Sequence, residues 1–318
     1  MEGAPAATAA RPDPRKFQDP FVTAHGERRA WVALGSLDTL WFNTGTLCNL
    51  TCRHCYIESS PRNDRLVYLS TDEIREYLDE IATLQLGTRL IGFTGGEPFM
   101  NPELPAMLDD VLSRGLRALV LTNAMKPMHK MKPALLRLRD RYGDRLTIRV
   151  SVDHYGRAVH ETERGRRSWQ PTIDGLRWLA GHDFHLSVAS RRLSGESEAE
   201  IRCGFTALFA ELGVAIDAYD PQALTVFPEM DAEADVPEIT EACWGILGKS
   251  PQDVMCASSR MVVKFKGAAR PTVIACTLLP YDPRFDLGST LADALRPVAL
   301  NHPHCAKFCV LGGGACSR

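Results

Sequence analysis

The chain has 318 residues, 45% hydrophobic and 24% charged, with a net charge of −2. That length allows one large domain or a barrel with a small appendage. The near-neutral charge gives no ground for capture of nucleic acid or of a membrane surface, and no apolar run approaches the roughly 20 residues of a membrane span. Residues 1–34, rich in Ala, Pro and charge, lack an apolar signal core and read as a disordered tail, so the expected location is cytoplasmic.

Taken in order, 39–44 is an apolar run that reads as a buried strand. It delivers the chain into a loop, Cys48-Asn49-Leu50-Thr51-Cys52-Arg53-His54-Cys55-Tyr56. Ser70 and Glu73 form a capping box for a helix whose apolar face is Ile74, Leu78, Ile81 and Leu84. A second strand, 90–93, runs into Thr94-Gly95-Gly96-Glu97-Pro98. Asn101 and Pro102 suit the cap and first residue of the next helix, which Gly115 ends. Further strands are predicted at 116–121, 146–152, 184–189 and 224–227, with helices around 130–141, 171–180 and 198–212. The basic run Arg164-Gly165-Arg166-Arg167 between them reads as a solvated loop. Short strands alternating with helices of this length mean βαβ units around a parallel sheet, an α/β fold with function at the C-terminal strand ends.

The pattern changes past residue 230. An alternating strand at 260–266, a turn at Gly267 and a return strand at 272–275 form a hairpin that brings Cys256 near Cys276. Asp286-Leu287-Gly288-Ser289 is expected to lead a helix, and the chain closes through Cys305, Cys309 and Cys316. The ten cysteines thus fall in two groups, 48–55 and 256–316, with Cys203 and Cys243 apart on predicted helices as buried thiols. Such grouping points to metal or iron–sulfur ligation rather than disulfides.

Cys48-x3-Cys52-x2-Cys55 resembles the signature of the radical S-adenosylmethionine (radical SAM) family. The spacing alone also suits a zinc knuckle. Gly95-Gly96-Glu97-Pro98, on the next strand, resembles the family's second motif and decides between them. The resemblance implies a partial (β/α)6 TIM-like barrel over 35–230 with a small Cys-rich α+β extension over 231–318. It also implies a [4Fe–4S] cluster with one open iron on Cys48, Cys52 and Cys55, since three thiolates leave one iron without a protein ligand. S-adenosylmethionine would chelate that iron. An electron from a reductant such as flavodoxin or ferredoxin would split its sulfonium bond, and the resulting 5′-deoxyadenosyl radical would take a hydrogen from substrate. The expected activity is therefore that of an oxidoreductase or another radical-mediated transformation.

By the same resemblance, Gly95 and Gly96 bring bare backbone to the methionine ammonium, and Glu97 supports their turn. His54 and Tyr56 lie near the adenine, or pack the loop. Asn123, Ser151 and Asp153, at strand ends, resemble positions around the ribose and methionine, with a helix cap as the rival for Asp153. Arg191, or Arg192, pairs with the cofactor carboxylate. Glu229, Asp231, His154 and Tyr155 are further candidates for substrate binding or acid–base work, against a reading as ordinary loop side chains.

The C-terminal block resembles the SPASM or twitch extension of many radical SAM enzymes. It departs from that pattern in the long gap from Gly267 to Cys276 and in three residues, not two, between Cys305 and Cys309. One auxiliary [4Fe–4S] cluster is expected on Cys256, Cys276, Cys305 and either Cys309 or Cys316; a zinc site or a vestigial extension stays open. A short N-terminal tail and few C-terminal cysteines favour a small-molecule substrate (a sugar, cyclitol or other metabolite) over a peptide to be modified. The rival of another class is a non-catalytic iron–sulfur or zinc protein.

Overall fold

The computed structural model describes residues 13–193, 195–228 and 235–315. Three sequence candidates, Glu229, Asp231 and Cys316, lie outside the described residues.

The elements in order are β1 (Trp31–Val32), β2 (Thr39–Asn43), α1 (Thr71–Thr83), β3 (Leu90–Thr94), α2 (Leu104–Ser113) and β4 (Arg117–Thr122). Next come α3 (Lys126–Lys130), α4 (Lys132–Tyr142), β5 (Leu146–Ser151), α5 (Arg157–Arg164), α6 (Trp169–Ala180), β6 (His185–Arg191), α7 (Glu198–Leu212) and β7 (Leu224–Phe227). The remainder holds α8 (Cys243–Leu247), β8 (Ser259–Val263), β9 (Thr272–Ile274) and β10 (Val298–Ala299). The main sheet has eight strands in the order β7-β6-β5-β4-β3-β2-β8-β9. Strands β2 to β7 pair in parallel, each with its sequence neighbour, as right-handed βα crossovers dictate. This is the partial (β/α)6 barrel expected, and its first strand is buried along its whole length.

The expected hairpin is present, but β8 does more than close it. Leu40 and Phe42 of β2 lie opposite Arg260 and Val262 of β8 in parallel register, so the Cys-rich region continues the barrel sheet. The capping box at Ser70 and Glu73 is formed as read. Helix α2 begins at Leu104, later than predicted, because Asn101 instead accepts from the Glu103 N–H at 3.0 Å and donates to the Leu69 carbonyl. Where a helix was expected after Ser289 there is only a single 3-10 turn, Asp293–Leu295.

Residues 13–34 are not a free tail. Arg29 is fully buried, donates to the carbonyls of Asp19, Val22 and Leu300, and pairs with Glu238 at 2.5 Å. Strand β1 pairs with β10. A composition rich in Ala and Pro hides the contacts to Leu300 and Glu238, which lie more than 200 residues from Arg29. Among the described residues, no helix is long and apolar enough to cross a membrane.

Candidate functional site

A cavity of about 160 Å³ opens at the C-terminal ends of the barrel strands. Cys48, Cys52 and Cys55 line it together, with the Gly95-Gly96 turn on their flank. The loop is pinned where it meets that turn. Gly96 N–H donates to the Gly45 carbonyl at 2.8 Å, Glu97 N–H to Leu47 at 3.2 Å, and Cys48 N–H to Ser60 at 3.1 Å. Gly95 sits at φ +134°, open to few other residues. A β-carbon on Gly96 would lie 2.1 Å from the Leu47 carbonyl oxygen. The glycines are therefore required first by the backbone of the cysteine loop, which the sequence reading had attributed to approach of a ligand.

The donor set suits a polynuclear iron–sulfur group. Burial pushes the Cys48 thiol up to about 12, and its neighbours Cys52 and Cys55 add to the effect. Cys52 is raised too, burial again leading. Thiols held protonated by burial lose their protons together only around a compensating cationic centre. Two of the sulfurs already accept backbone N–H groups, Cys48 from Leu50 at 3.4 Å and Cys55 from Ser59 at 3.3 Å. The buried Ser59 hydroxyl, also on the cavity wall, has no hydrogen-bond partner among the described residues.

Glu97 is a buried tie between loops. Its carboxylate accepts from Thr122 Oγ1 and Asn123 N–H, both at 2.8 Å, and from Phe99 N–H at 3.2 Å. Asn123 in turn donates to Asn49 Oδ1 at 2.9 Å, fastening the loop after β4 to the cysteine loop. Burial pushes the Glu97 carboxyl up to about 7 despite these donors. Glu97→Gln is expected to cost about 1–3 kcal/mol, because either amide orientation strands a backbone N–H of Phe99 or Asn123. A folded-state value above the ordinary 4.5 means that Glu97's contribution to stability falls as pH rises from there to about 7. Equilibrium unfolding from about pH 4 to 8 should show that slope in the wild type and lose it in the variant.

Asp153 lies under the cavity, gripped by two arginines. Arg164 reaches its carboxylate at 2.9 and 3.0 Å, and Arg191 at 3.5 Å. Burial opposes its charge, but Arg164 and then Arg191 hold its carboxyl below the usual range. Arg191 also donates to the His54 carbonyl at 2.6 Å and stacks 4.7 Å from the Tyr56 ring centroid. Tyr56 and Ser151 line the cavity. The His54 ring does not line it; it turns to Glu163 at 2.5 Å and is 44% exposed.

Arg164 is the site residue that the sequence reading missed. It was taken for part of a solvated basic loop, yet it is buried, lines the cavity and ends α5. The signal available was helical spacing: His160, Glu163 and Arg164 fall on one face of α5, and all three are buried.

His154 and Tyr155 stand away from the cavity wall. The Gly156 N–H donates to His154 Nδ1 at 2.8 Å, which leaves the proton on Nε2, 2.7 Å from Glu196. The Tyr155 hydroxyl donates to the same carboxylate at 2.5 Å. The group joins the loop after β5 to the loop after β6.

The second cysteine group is assembled from three places. Cys256 ends the approach to β8, Cys276 follows β9, and Cys305 and Cys309 lie on a seven-residue π-helix, Cys305–Leu311. Cys305 and Cys309 are thus four residues apart on one helical segment. At Cys309 burial raises the thiol, followed by the like charges of Cys276, Cys256 and Cys305. Cys203, expected to be buried, is exposed, and Cys243 is half-buried. Among the described residues no three His, Cys, Asp or Glu are placed to hold a single metal ion. Thr277, Leu278 and Phe308, neighbours of these cysteines, line the same cavity as Cys48. The Tyr56 ring meets Phe308 and His304 edge-on, each at 6.5 Å between centroids.

A family model described as the Radical SAM superfamily matches residues 42–201. The chain is 32% identical over 143 residues to the antilisterial bacteriocin subtilosin biosynthesis protein AlbA of Bacillus subtilis, covering 45% of this chain and 30% of that one. It is 29% identical over 146 residues to an AdoMet-dependent heme synthase of Methanosarcina barkeri, covering 44% and 38%. Among solved structures, Streptococcus suis SuiB bound to precursor peptide SuiA shares the fold with a TM-score of 0.59 at 13% identity, over 83% of this chain and 64% of that one. The chain spans less than two-thirds of the length of each.

Proposed function

Because this chain belongs to the radical SAM superfamily, we propose that it is an enzyme that cleaves S-adenosylmethionine reductively and abstracts a hydrogen from a peptide substrate. The observation that carries the first half is the convergence of Cys48, Cys52 and Cys55 with Gly95, Ser151 and Arg191 on one cavity. When bound, a reduced four-iron cluster with the cofactor supplies one-electron cleavage of a sulfonium bond and, from it, hydrogen-atom abstraction. In this reading the three thiols hold the cluster, while the Gly95-Gly96 turn fixes the loop that carries them. Arg191 and Arg164, held in place by Asp153, present cations toward a carboxylate. Ser151, Asn123 and Tyr56 remain the candidates to seat the nucleoside. Phe227, Phe308 and Leu278 give the outer wall apolar surface that keeps water from the reacting carbon.

The sequence reading preferred a small molecule. Similarity to a bacteriocin biosynthesis protein and the fold of a peptide-bound enzyme favour the peptide reading. Similarity to a heme synthase favours a tetrapyrrole as the second reading. Cys256, Cys276, Cys305 and Cys309 would hold a second cluster, and a flavodoxin or ferredoxin would be the electron donor. To test the substrate class, short peptides encoded beside the gene and an iron porphyrin precursor are each given to reduced enzyme with S-adenosylmethionine. A peptide that gains a crosslink by losing hydrogen, as 5′-deoxyadenosine accumulates, supports the proposal. Turnover of the porphyrin with no peptide modified would reject it for the second reading.

A further inference from the structure

Arg260 is 1% exposed, on β8 between the barrel and the second cysteine group. Two other buried arginines face carboxylates, Arg29 facing Glu238 and Arg164 facing Asp153, while buried Arg149 donates to the Ser187 hydroxyl. Arg260 has no carboxylate partner among the described residues. Its guanidinium donates only to main-chain carbonyls, to Ala294 at 2.9 Å, Cys256 at 2.6 Å, Ser259 at 2.8 Å and Arg296 at 3.2 Å. Carbonyl dipoles solvate the cation but leave its charge unneutralised. Burial of that kind is costly unless an anion stands nearby. The ionisable neighbours acting on it are the thiols of Cys256 and Cys276.

We propose that Arg260 is the internal counter-cation of an iron–sulfur cluster held by Cys256, Cys276, Cys305 and Cys309, and that it sets the cluster's reduction potential. This rests on the second-cluster assignment made above. A four-iron cluster on four thiolates is anionic in both oxidation states and more so when reduced. A fixed positive charge in a low-dielectric setting therefore favours the reduced form and raises the potential. The same side chain pins the Cys256 carbonyl and so positions one ligand of the cluster.

The test uses full-length protein with Cys48, Cys52 and Cys55 changed to alanine, so that only the second site holds iron. In an electron-spin-resonance redox titration, Arg260→Met should keep its iron. At the parent's midpoint its ratio of reduced to oxidised cluster should fall at least tenfold, about 59 mV for one electron. Arg260→Lys should stay closer to the parent. An unmoved midpoint in Arg260→Met, with iron retained, overturns the role of Arg260. A parent without iron overturns the cluster assignment and the proposal with it. Thermal unfolding guards against a purely structural effect. Arg260→Met strands the same carbonyls in either background, so it should lower the melting temperature more in cluster-loaded protein than once Cys256 and Cys276 are serine, where removal of the orphaned charge offsets part of that loss. Equal losses in both backgrounds, including failure of both to fold, reject the proposal.

Discussion

Changing Cys48, Cys52 and Cys55 together to alanine is expected to abolish formation of 5′-deoxyadenosine. The three thiols share one cavity with the Gly95-Gly96 turn, and no other cysteine among the described residues lines it. Alanine leaves no ligand for iron at the barrel mouth. Loss of the thiols removes two weak N–H to sulfur contacts, but the main-chain hydrogen bonds from Cys48, Gly96 and Glu97 still hold the loop. The fold should therefore persist while activity disappears. By the arithmetic of two four-iron clusters, iron should drop from about eight to about four per chain. Iron analysis beside chromatographic detection of deoxyadenosine checks both numbers. Deoxyadenosine formed at the wild-type rate by the triple variant would reject the assignment of these three ligands.

Gly96→Val should remove the barrel iron as well as cofactor binding. Its first added carbon would fall 2.1 Å from the Leu47 carbonyl oxygen and 2.8 Å from that of Thr46. Both atoms are main chain, so no side chain can rotate away. Either the cysteine loop moves or Glu97 leaves the Thr122 and Asn123 groups it ties together. Overpacking of this kind costs about 1–3 kcal/mol and here falls on the scaffold of the ligands. Close approach of the Gly95-Gly96 backbone to the methionine ammonium, as read from the sequence, would give a milder result, weakened cofactor binding with the cluster intact. Cluster spectra and calorimetric titration with S-adenosylmethionine separate the two. A variant with full barrel iron and only reduced affinity would restore the ligand-contact role of the glycine.

The barrel was legible because each of its signals is local. Periodicity located β2 to β7, Ser70 and Glu73 announced α1, and Cys48 to Tyr56 with Gly95 to Pro98 carried the family resemblance. What escaped was long-range. Arg164 looked solvated because a run of basic residues says nothing of a carboxylate folded against it; Asp153 supplies one. Residues 13–34 looked disordered because Glu238 and Leu300, which bury Arg29, lie far along the chain. The π-helix at Cys305–Leu311, which carries both Cys305 and Cys309, has no propensity signature in the sequence. The Gly95-Gly96 turn was found correctly, but its reason, contact with the backbone of residues 45–47, is a tertiary fact.

Cleavage of S-adenosylmethionine tests the account most directly. Protein reconstituted with iron and sulfide under anaerobic conditions, then reduced with dithionite, is mixed with S-adenosylmethionine, and 5′-deoxyadenosine and methionine are quantified. The account predicts both products in equal amounts from wild type, and neither from the Cys48/Cys52/Cys55 alanine variant. Wild-type protein that carries a reducible four-iron cluster at the barrel site yet yields no 5′-deoxyadenosine, with or without peptide, would contradict it.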